Sequence, residues 1–238
     1  MSSLSIKSNE EGAMMKKKTI LFTVLATVIA VSLIASVLVI GSKKKSFDQY
    51  EKYSLSISVD VKREDGVKPH LIDVSYDGEN ARVSSSAVNK DSYIIGKRIY
   101  YLEDDTFYWY STMKSYVDIY DAISTFDKLD FVKDVKDGKQ YTTILKESTV
   151  NDILDSLFIV KDASGPKKAN VILREGKVSE FNIVLSDLQE YDEVDINVTV
   201  TELQDDYTVN TSRIFGTVGG GRRYKTREAP VNAFRIVE

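Results

Sequence analysis

Cysteine is absent from all 238 residues, and histidine occurs once, as His70. Without cysteine the chain forms no disulfide, has no thiol nucleophile and offers no thiolate to a metal ion. A single imidazole leaves a structural zinc site short of ligands and a serine triad with one candidate base. Because His70 follows Pro69 at the start of a predicted strand, we expect its side chain at the surface. The composition predicts no metal and no cofactor.

Motifs of catalysis and nucleotide binding are also missing. No Gly-x-Ser-x-Gly elbow occurs, and the glycines at 219–221 are not followed by the Lys-Ser or Lys-Thr of a phosphate-binding loop. Carboxylates are plentiful, but nothing singles out an acid pair for glycoside hydrolysis. We predict a protein that is not an enzyme, and an enzyme acting on wall glycans is the least favoured alternative.

Charge is unevenly distributed along the chain. The net charge is −4, yet the first 45 residues carry seven lysines against two glutamates, so the remainder is strongly acidic. An acidic domain does not neutralise phosphates, and we predict no nucleic-acid partner. The basic residues Arg222, Arg223, Lys225 and Arg227 indicate a solvated tail, with contact to anionic polymers or lipid headgroups as the alternative.

Residues 19–41 form an unbroken apolar run with three lysines on each side. A run longer than about 18 residues spans the hydrocarbon layer as a helix, and lysines hold its ends at the headgroups. It exceeds the apolar region of a cleaved signal peptide. The run therefore predicts an uncleaved, single-pass anchor in the cell membrane, with the C-terminal domain outside the cytoplasm. A buried core helix is the alternative.

These features divide the chain into five parts. We predict a cytoplasmic stub at 1–18, a transmembrane helix at 19–41, a juxtamembrane linker at 42–52, an extracytoplasmic β-rich domain at 53–205 and a flexible basic tail at 206–238.

Apolar and polar residues alternate along much of the β-rich domain. Leu55, Ile57, Val59 and Val61 alternate with polar residues, and a second regular strand runs from 194 to 200. Shorter strands are predicted at 72–76, 81–83, 93–95, 99–102, 107–110, 171–173 and 181–185. Tight-turn dipeptides between several of them indicate an antiparallel meander rather than a parallel sheet.

Two helices and a hairpin interrupt the strands. Ser115 with Asp118 and Thr149 with Asp152 resemble capping boxes, and apolar residues follow each at helical spacing. Between the helices, the Asp-Gly pair at 137–138 predicts a turn between strands at 131–135 and 141–145.

Nine tyrosine, phenylalanine and tryptophan residues lie between 93 and 120. Core packing explains most of them, but neighbouring strands there are apolar on both faces. A groove for an apolar ligand is the alternative, since tyrosine combines an apolar body with a polar tip.

The order of elements resembles a known family. The stretch Tyr-Ile-Ile-Gly-Lys-Arg-Ile-Tyr-Tyr-Leu at 93–102, and the strand at 194–200 followed by Leu203 and Tyr207, are similar to the LolA-like carriers of the bacterial envelope, which include LppX and LprG. The resemblance implies a curved antiparallel half-barrel covered by two or three short helices, an α+β fold, with an apolar cavity that holds acyl chains. This chain departs from the family because a membrane segment replaces a lipid-modified cysteine.

We therefore predict a membrane-anchored protein that binds a lipid or lipoprotein acyl chain between sheet and helices. The alternative is a protein-interaction or sensor module with a closed core. The predicted lining residues are Ile57, Val59, Val74, Tyr76, Tyr101, Trp109, Ile123, Leu154, Ile183 and Ile196.

Overall fold

A computed structural model describes residues 45–86, 91–103, 106–159, 163–186, 188, 191–215 and 227–228. The predicted stub at 1–18 and the predicted transmembrane helix at 19–41 lie outside these residues. Among the residues that are described, no helix combines the length and apolarity needed to cross a bilayer.

Strands make up most of the described chain. They are β1 (Lys45–Ser46), β2 (Tyr53–Arg63), β3 (Gly66–Tyr76), β4 (Asn80–Ser85), β5 (Ser92–Ile95), β6 (Arg98–Glu103), β7 (Thr106–Ser111), β8 (Thr125–Phe126), β9 (Asp130–Val135), β10 (Gly138–Leu145), β11 (Lys167–Arg174), β12 (Lys177–Leu185), β13 (Glu193–Glu202) and β14 (Arg227–Glu228). The helices are α1 (Asp118–Ile123), α2 (Glu147–Ser156) and α3 (Ser212–Phe215).

Two meanders join into one sheet. Its strand order is β14-β7-β6-β5-β4-β3-β2-β13-β12-β11-β10-β9, so β2 to β7 form one meander and β9 to β13 the other. The meanders meet where β13 pairs with β2 over ten residues, with Val198 opposite Ile57. Neighbouring strands are antiparallel except for the parallel pair of β14 and β7. The predicted antiparallel sheet with few helices is confirmed.

Alternation along the strands fixes the register of this central pair. In β13, Val194, Ile196, Val198 and Val200 are buried, while Asp195 and Asn197 between them are partly exposed. A slip of one residue would move all four apolar side chains into water. Gly96 lies in the tight turn between the paired strands β5 and β6. Its φ of 59° falls in the left-handed region, which glycine adopts without strain.

The helices begin differently from each other. At α1 the Asp118 carboxylate accepts hydrogen bonds from the Ser115 backbone N–H (2.6 Å) and hydroxyl (2.9 Å), so the two residues are paired. The predicted cap is nevertheless wrong, because the N-cap of the helix is Val117 and not Ser115. At α2 the predicted cap at Thr149 is wrong. The helix begins earlier, at Glu147, because the Lys146 carbonyl already accepts hydrogen bonds from the backbone N–H groups of Thr149 and Val150.

Residues 45–50, part of the predicted linker, brace α1. β1 pairs with β8, which follows α1 directly. The Phe47 backbone N–H donates to the Ser124 carbonyl at 2.9 Å, and Gln49 Nε2 donates to an Asp121 carboxylate oxygen at 2.9 Å. The segment that leads into the domain is thus fastened to the covering helix.

Residues 203–215 pack on the sheet, although most of them were predicted to be flexible tail. Val209 is buried, and its backbone N–H donates to Asp77 Oδ2 at 2.7 Å. Lys52 Nζ donates to the Tyr207 carbonyl at 3.0 Å and also to the Asp205 carbonyl. We call residues 203–215 the outer strap. Most of the remaining tail lies outside the described residues.

Candidate apolar binding face

One face of the sheet packs against α1 and α2, and we call it the inner face. Cross-strand pairing aligns an apolar row along it, in which each residue stands directly opposite the next on the neighbouring strand. The row consists of Phe131, Tyr141, Val171, Phe181, Val198, Ile57 and Ile72. We call these seven residues the apolar row. The row crosses seven adjacent strands, from β9 to β3.

Burial changes along the apolar row. The five members from Val171 to Ile72 expose at most 2% of their surface. Tyr141 is half-buried, and Phe131 on the edge strand β9 is 56% exposed. The row is therefore covered in its middle and open at the β9 end.

The two covering helices are short. α1 contributes Ile119, Tyr120 and Ile123, and α2 contributes Val150, Ile153 and Leu154, all of them buried. Helix and sheet residues belong to one apolar cluster, within which Phe158 and Tyr141 are partly exposed. Burying a side chain of this size stabilises the fold by about 1.5–3 kcal/mol.

Tyrosines fill one end of the layer between sheet and helices. The ring centroids of Tyr53 and Tyr120 are 4.7 Å apart, and those of Tyr53 and Tyr76 are 5.1 Å apart. Burial, together with the nearby charges of Tyr76 and Asp121, raises the pKa of Tyr53. Burial also raises the pKa of Tyr120 to about 12. These phenols stay neutral at physiological pH and serve as hydrogen-bonding groups.

Two buried hydroxyl groups have no hydrogen-bond partner in the described part of the chain. They are Tyr116 Oη, just before α1, and Ser124 Oγ, just after it. Tyr116 is 1% exposed and Ser124 is fully buried. Burial alone raises the pKa of Tyr116, so its hydroxyl is a protonated donor. An unsatisfied buried hydroxyl costs about 1–3 kcal/mol, so these two atoms call for an explanation.

His70 corrects one expectation. Its side chain is 4% exposed, because it stands opposite Val59 on the inner face of β3. The alternation of β3 places it there, and the exposed neighbours of His70 are Pro69 and Leu71. Burial, followed by the charges of Lys68 and Arg63, lowers the pKa of His70. Among the residues described, no cluster of acidic and histidine side chains is suited to hold a metal ion.

The predicted lining residues divide between the two faces. Nine of them belong to the apolar cluster between the inner face and the helices, namely Ile57, Val59, Val74, Tyr76, Tyr101, Ile123, Leu154, Ile183 and Ile196. Trp109 is the exception. It pairs with Tyr100, which pairs with Tyr93, and all three lie in a second cluster on the outer face under the outer strap.

In the described part of the chain, open clefts lie at two places on the outer face. One, of about 350 Å³, lies between the sheet residues Arg82 and Tyr93 and residues 207–210 of the outer strap. The other, of about 290 Å³, has polar and apolar lining in similar amounts and includes Asn170, Asn182 and Asn197. Arg82 is already paired with Asp91, and the three asparagines are hydrogen-bonded to one another in a row. Both clefts are thus lined by groups that the fold itself uses.

Sequence reasoning missed three members of the site. Phe131 and Tyr141 were predicted in strands, but their position at the open end of the apolar row depends on long-range pairing of β10 with β11. Tyr116 was predicted in a helical stripe. Its unpaired hydroxyl depends on which groups surround it, and helical periodicity carries no signal for that.

No protein-family model and no curated protein sequence matches this chain. Solved structures do resemble it. LprF from Mycobacterium bovis is 10% identical with a TM-score of 0.41, covering 67% of this chain and 89% of its own. A LolA superfamily protein from Nitrosomonas europaea is 10% identical with a TM-score of 0.33, covering 70% of this chain and 91% of its own. Both neighbours fall in the group of proteins that the order of elements resembles. With TM-scores below 0.5 they carry no argument about this chain, and what it binds has to be inferred from its own contacts.

Proposed function

We propose that this chain is an extracytoplasmic binding protein, tethered by residues 19–41, that holds an acyl chain between the inner face and helices α1 and α2. The apolar row is the observation that carries the proposal. An elongated hydrocarbon matches a continuous row of apolar side chains that is covered over most of its length and open at one end. Phe131 and Tyr141 would form the opening.

Hydrophobic burial supplies the affinity in this proposal. Removing roughly 300 Å² of apolar surface from water is worth about 7 kcal/mol before ordering costs are subtracted. No catalytic group is required for such binding. The ligand would separate α1 from the sheet, since the side chains beneath this helix already pack tightly. This helix is only six residues long and buries three side chains, Ile119, Tyr120 and Ile123.

The position of the single tryptophan provides a test. Trp109 lies on the outer face, whereas Tyr141 lies in the apolar row. We would prepare the full-length chain in an amphipathic polymer, as wild type and as the double variant Trp109→Phe, Tyr141→Trp. Octadecanoic acid brominated in mid-chain should quench the fluorescence of the double variant and leave that of Trp109 unchanged. Equal quenching in both proteins, or none in either, would contradict the proposal.

A protein-interaction module is the second candidate. The edge strand β9 supports it, because Phe131 is 56% exposed and Val132 is 47% exposed there. A partner could add a strand along this edge. In that case Val132→Pro would prevent a partner strand from pairing with β9. The brominated acid would quench the fluorescence of neither protein.

A further inference from the structure

Tyr116 differs from the other tyrosines in the layer between sheet and helices. Its ring packs against Phe158 with centroids 5.1 Å apart and planes at 70°. The side chain is 1% exposed, and its hydroxyl has no hydrogen-bond partner among the described residues. The polar end of this side chain is therefore buried without a hydrogen-bond partner.

Three other tyrosines of the same apolar cluster do use their hydroxyl groups. Tyr53 Oη donates to the Val117 carbonyl at 3.2 Å, and Tyr76 Oη donates to the Gly78 carbonyl at 2.7 Å. Tyr120 Oη accepts a hydrogen bond from the Tyr50 backbone N–H at 3.4 Å. The fold thus provides hydrogen-bond partners for these three phenols, whereas the buried Tyr116 hydroxyl has none among the described residues.

Phenylalanine would fill the same space without this cost. A buried hydroxyl that has lost its water partners destabilises the protein unless another acceptor replaces them. Because the hydroxyl is a neutral donor, a suitable acceptor is an oxygen atom with a small desolvation cost in an apolar layer. A carbonyl oxygen of an ester meets this condition, whereas a carboxylate brings a charge with a large desolvation penalty.

We infer that Tyr116 Oη donates a hydrogen bond to the carbonyl oxygen of an acyl ester held in the layer. The inference rests on the proposed function, because it identifies the polar atom that the apolar site recognises. Tyr116 acts as a specificity residue. It distinguishes an acyl ester from a hydrocarbon of equal length, which buries the same chain and offers no acceptor.

The test compares two probes of matched chain length. Using the fluorescent variant Trp109→Phe, Tyr141→Trp, we would titrate the full-length protein with mid-chain-brominated methyl octadecanoate and with mid-chain-brominated octadecane. Adding Tyr116→Phe should weaken binding of the ester about fivefold to tenfold, the loss expected for one hydrogen bond. Binding of the alkane should stay unchanged or become tighter. Tyr93→Phe is the matched control, because Tyr93 is buried in the outer-face cluster, and it should not change the ratio of the two affinities.

The outcomes separate the inference from the proposed function. If both probes bind and Tyr116→Phe leaves their ratio unchanged, the inference is wrong while acyl binding stands. If neither probe binds to the unaltered protein, both are wrong.

A spectroscopic measurement avoids the variant altogether. The infrared carbonyl stretch of ¹³C-labelled methyl octadecanoate should move to lower frequency in the bound state, relative to the same ester in hexane. A bound ester with the frequency found in hexane would overturn the inference, whether or not Tyr116→Phe folds.

Discussion

Phe131 stands directly opposite Tyr141 at the edge of the sheet, with ring centroids 5.9 Å apart and planes at 75°. Phe131 is 56% exposed. On its other side Tyr141 stands opposite Val171 of β11, which is fully buried. These two rings therefore link solvent to the covered middle of the apolar row, and they are the place where a ligand would first touch the site.

Replacing Phe131 tests this opening. Phe131→Ser should weaken binding of the brominated octadecanoic acid about fivefold, since roughly 1 kcal/mol of apolar contact is lost. The change should have little effect on stability, because the ring is already half in water. Ile144→Ser is the matched control, since Ile144 is 59% exposed on the neighbouring strand β10 and points to the outer face. Equal weakening by both substitutions would show that the opening lies elsewhere.

Tyr53 and Tyr116 should respond oppositely to loss of their hydroxyl groups. Tyr53→Phe leaves the Val117 carbonyl without its 3.2 Å donor and should destabilise the protein without ligand by about 1 kcal/mol. Tyr116→Phe removes an unpaired hydroxyl and should be neutral or stabilising. Denaturant unfolding of the full-length chain, followed by near-ultraviolet circular dichroism, measures both. Equal destabilisation would mean that Tyr116 has a partner in the unliganded protein.

Asp77 fastens the outer strap to the sheet. Burial opposes its ionisation, but hydrogen bonds from the backbone N–H groups of Asn80, Val209 and Glu79 outweigh it and lower the pKa of Asp77. Asp77→Asn keeps an acceptor for the local turn and loses the one that Val209 uses. Hydrogen exchange in residues 203–215 should therefore rise in this variant, and rise further in Asp77→Ala.

The same carboxylate gives the strap a pH dependence. A lowered folded pKa means that the stabilising contribution of Asp77 is present above about pH 4, its ordinary pKa, and is lost as the pH falls through the folded value. Protection factors of the strap amides, which correct for the slower intrinsic exchange in acid, should fall on acidification in the wild type and not in Asp77→Ala. An equal fall of the protection factors in both proteins would contradict this assignment.

His70 should make stability fall at mildly acidic pH. Its folded pKa is lowered by burial and by Lys68 and Arg63, so the unfolded chain binds a proton more readily than the folded one. Stability should therefore decrease as the pH falls below about 6.5, the ordinary histidine value. In His70→Leu this decrease should disappear between pH 7 and pH 5. If stability of His70→Leu still fell as steeply between pH 7 and pH 5, the decrease would come from carboxylates and not from His70.

The sheet could be predicted from the sequence because its information is local. Alternation from Leu55 to Val61 and from Val194 to Val200 identifies two strands and the face that each buries. It does not reveal that they pair with each other, since the contact joins segments about 140 residues apart and depends on the whole sheet closing around it. The two strands could therefore be predicted from the sequence, but their pairing with each other could not.

The errors at the site have the same origin. Alternation alone places His70 on the buried face. Its polarity and the preceding Pro69 led to the prediction of a surface position, whereas in the structure it lies opposite Val59 on the buried face. Trp109 was grouped with the lining because aromatic residues occupy both faces of β7. Only the pairing with Tyr100 assigns it to the outer face.

Photo-crosslinking tests the central claim most directly, because it locates the acyl chain on the full-length protein. A fatty acid with a terminal diazirine would be supplied to cells that make the protein, and crosslinked peptides would be mapped by mass spectrometry. Besides residues 19–41, we expect adducts on β10 to β13 and on α1 and α2. Adducts confined to residues 19–41 would contradict a binding site between sheet and helices.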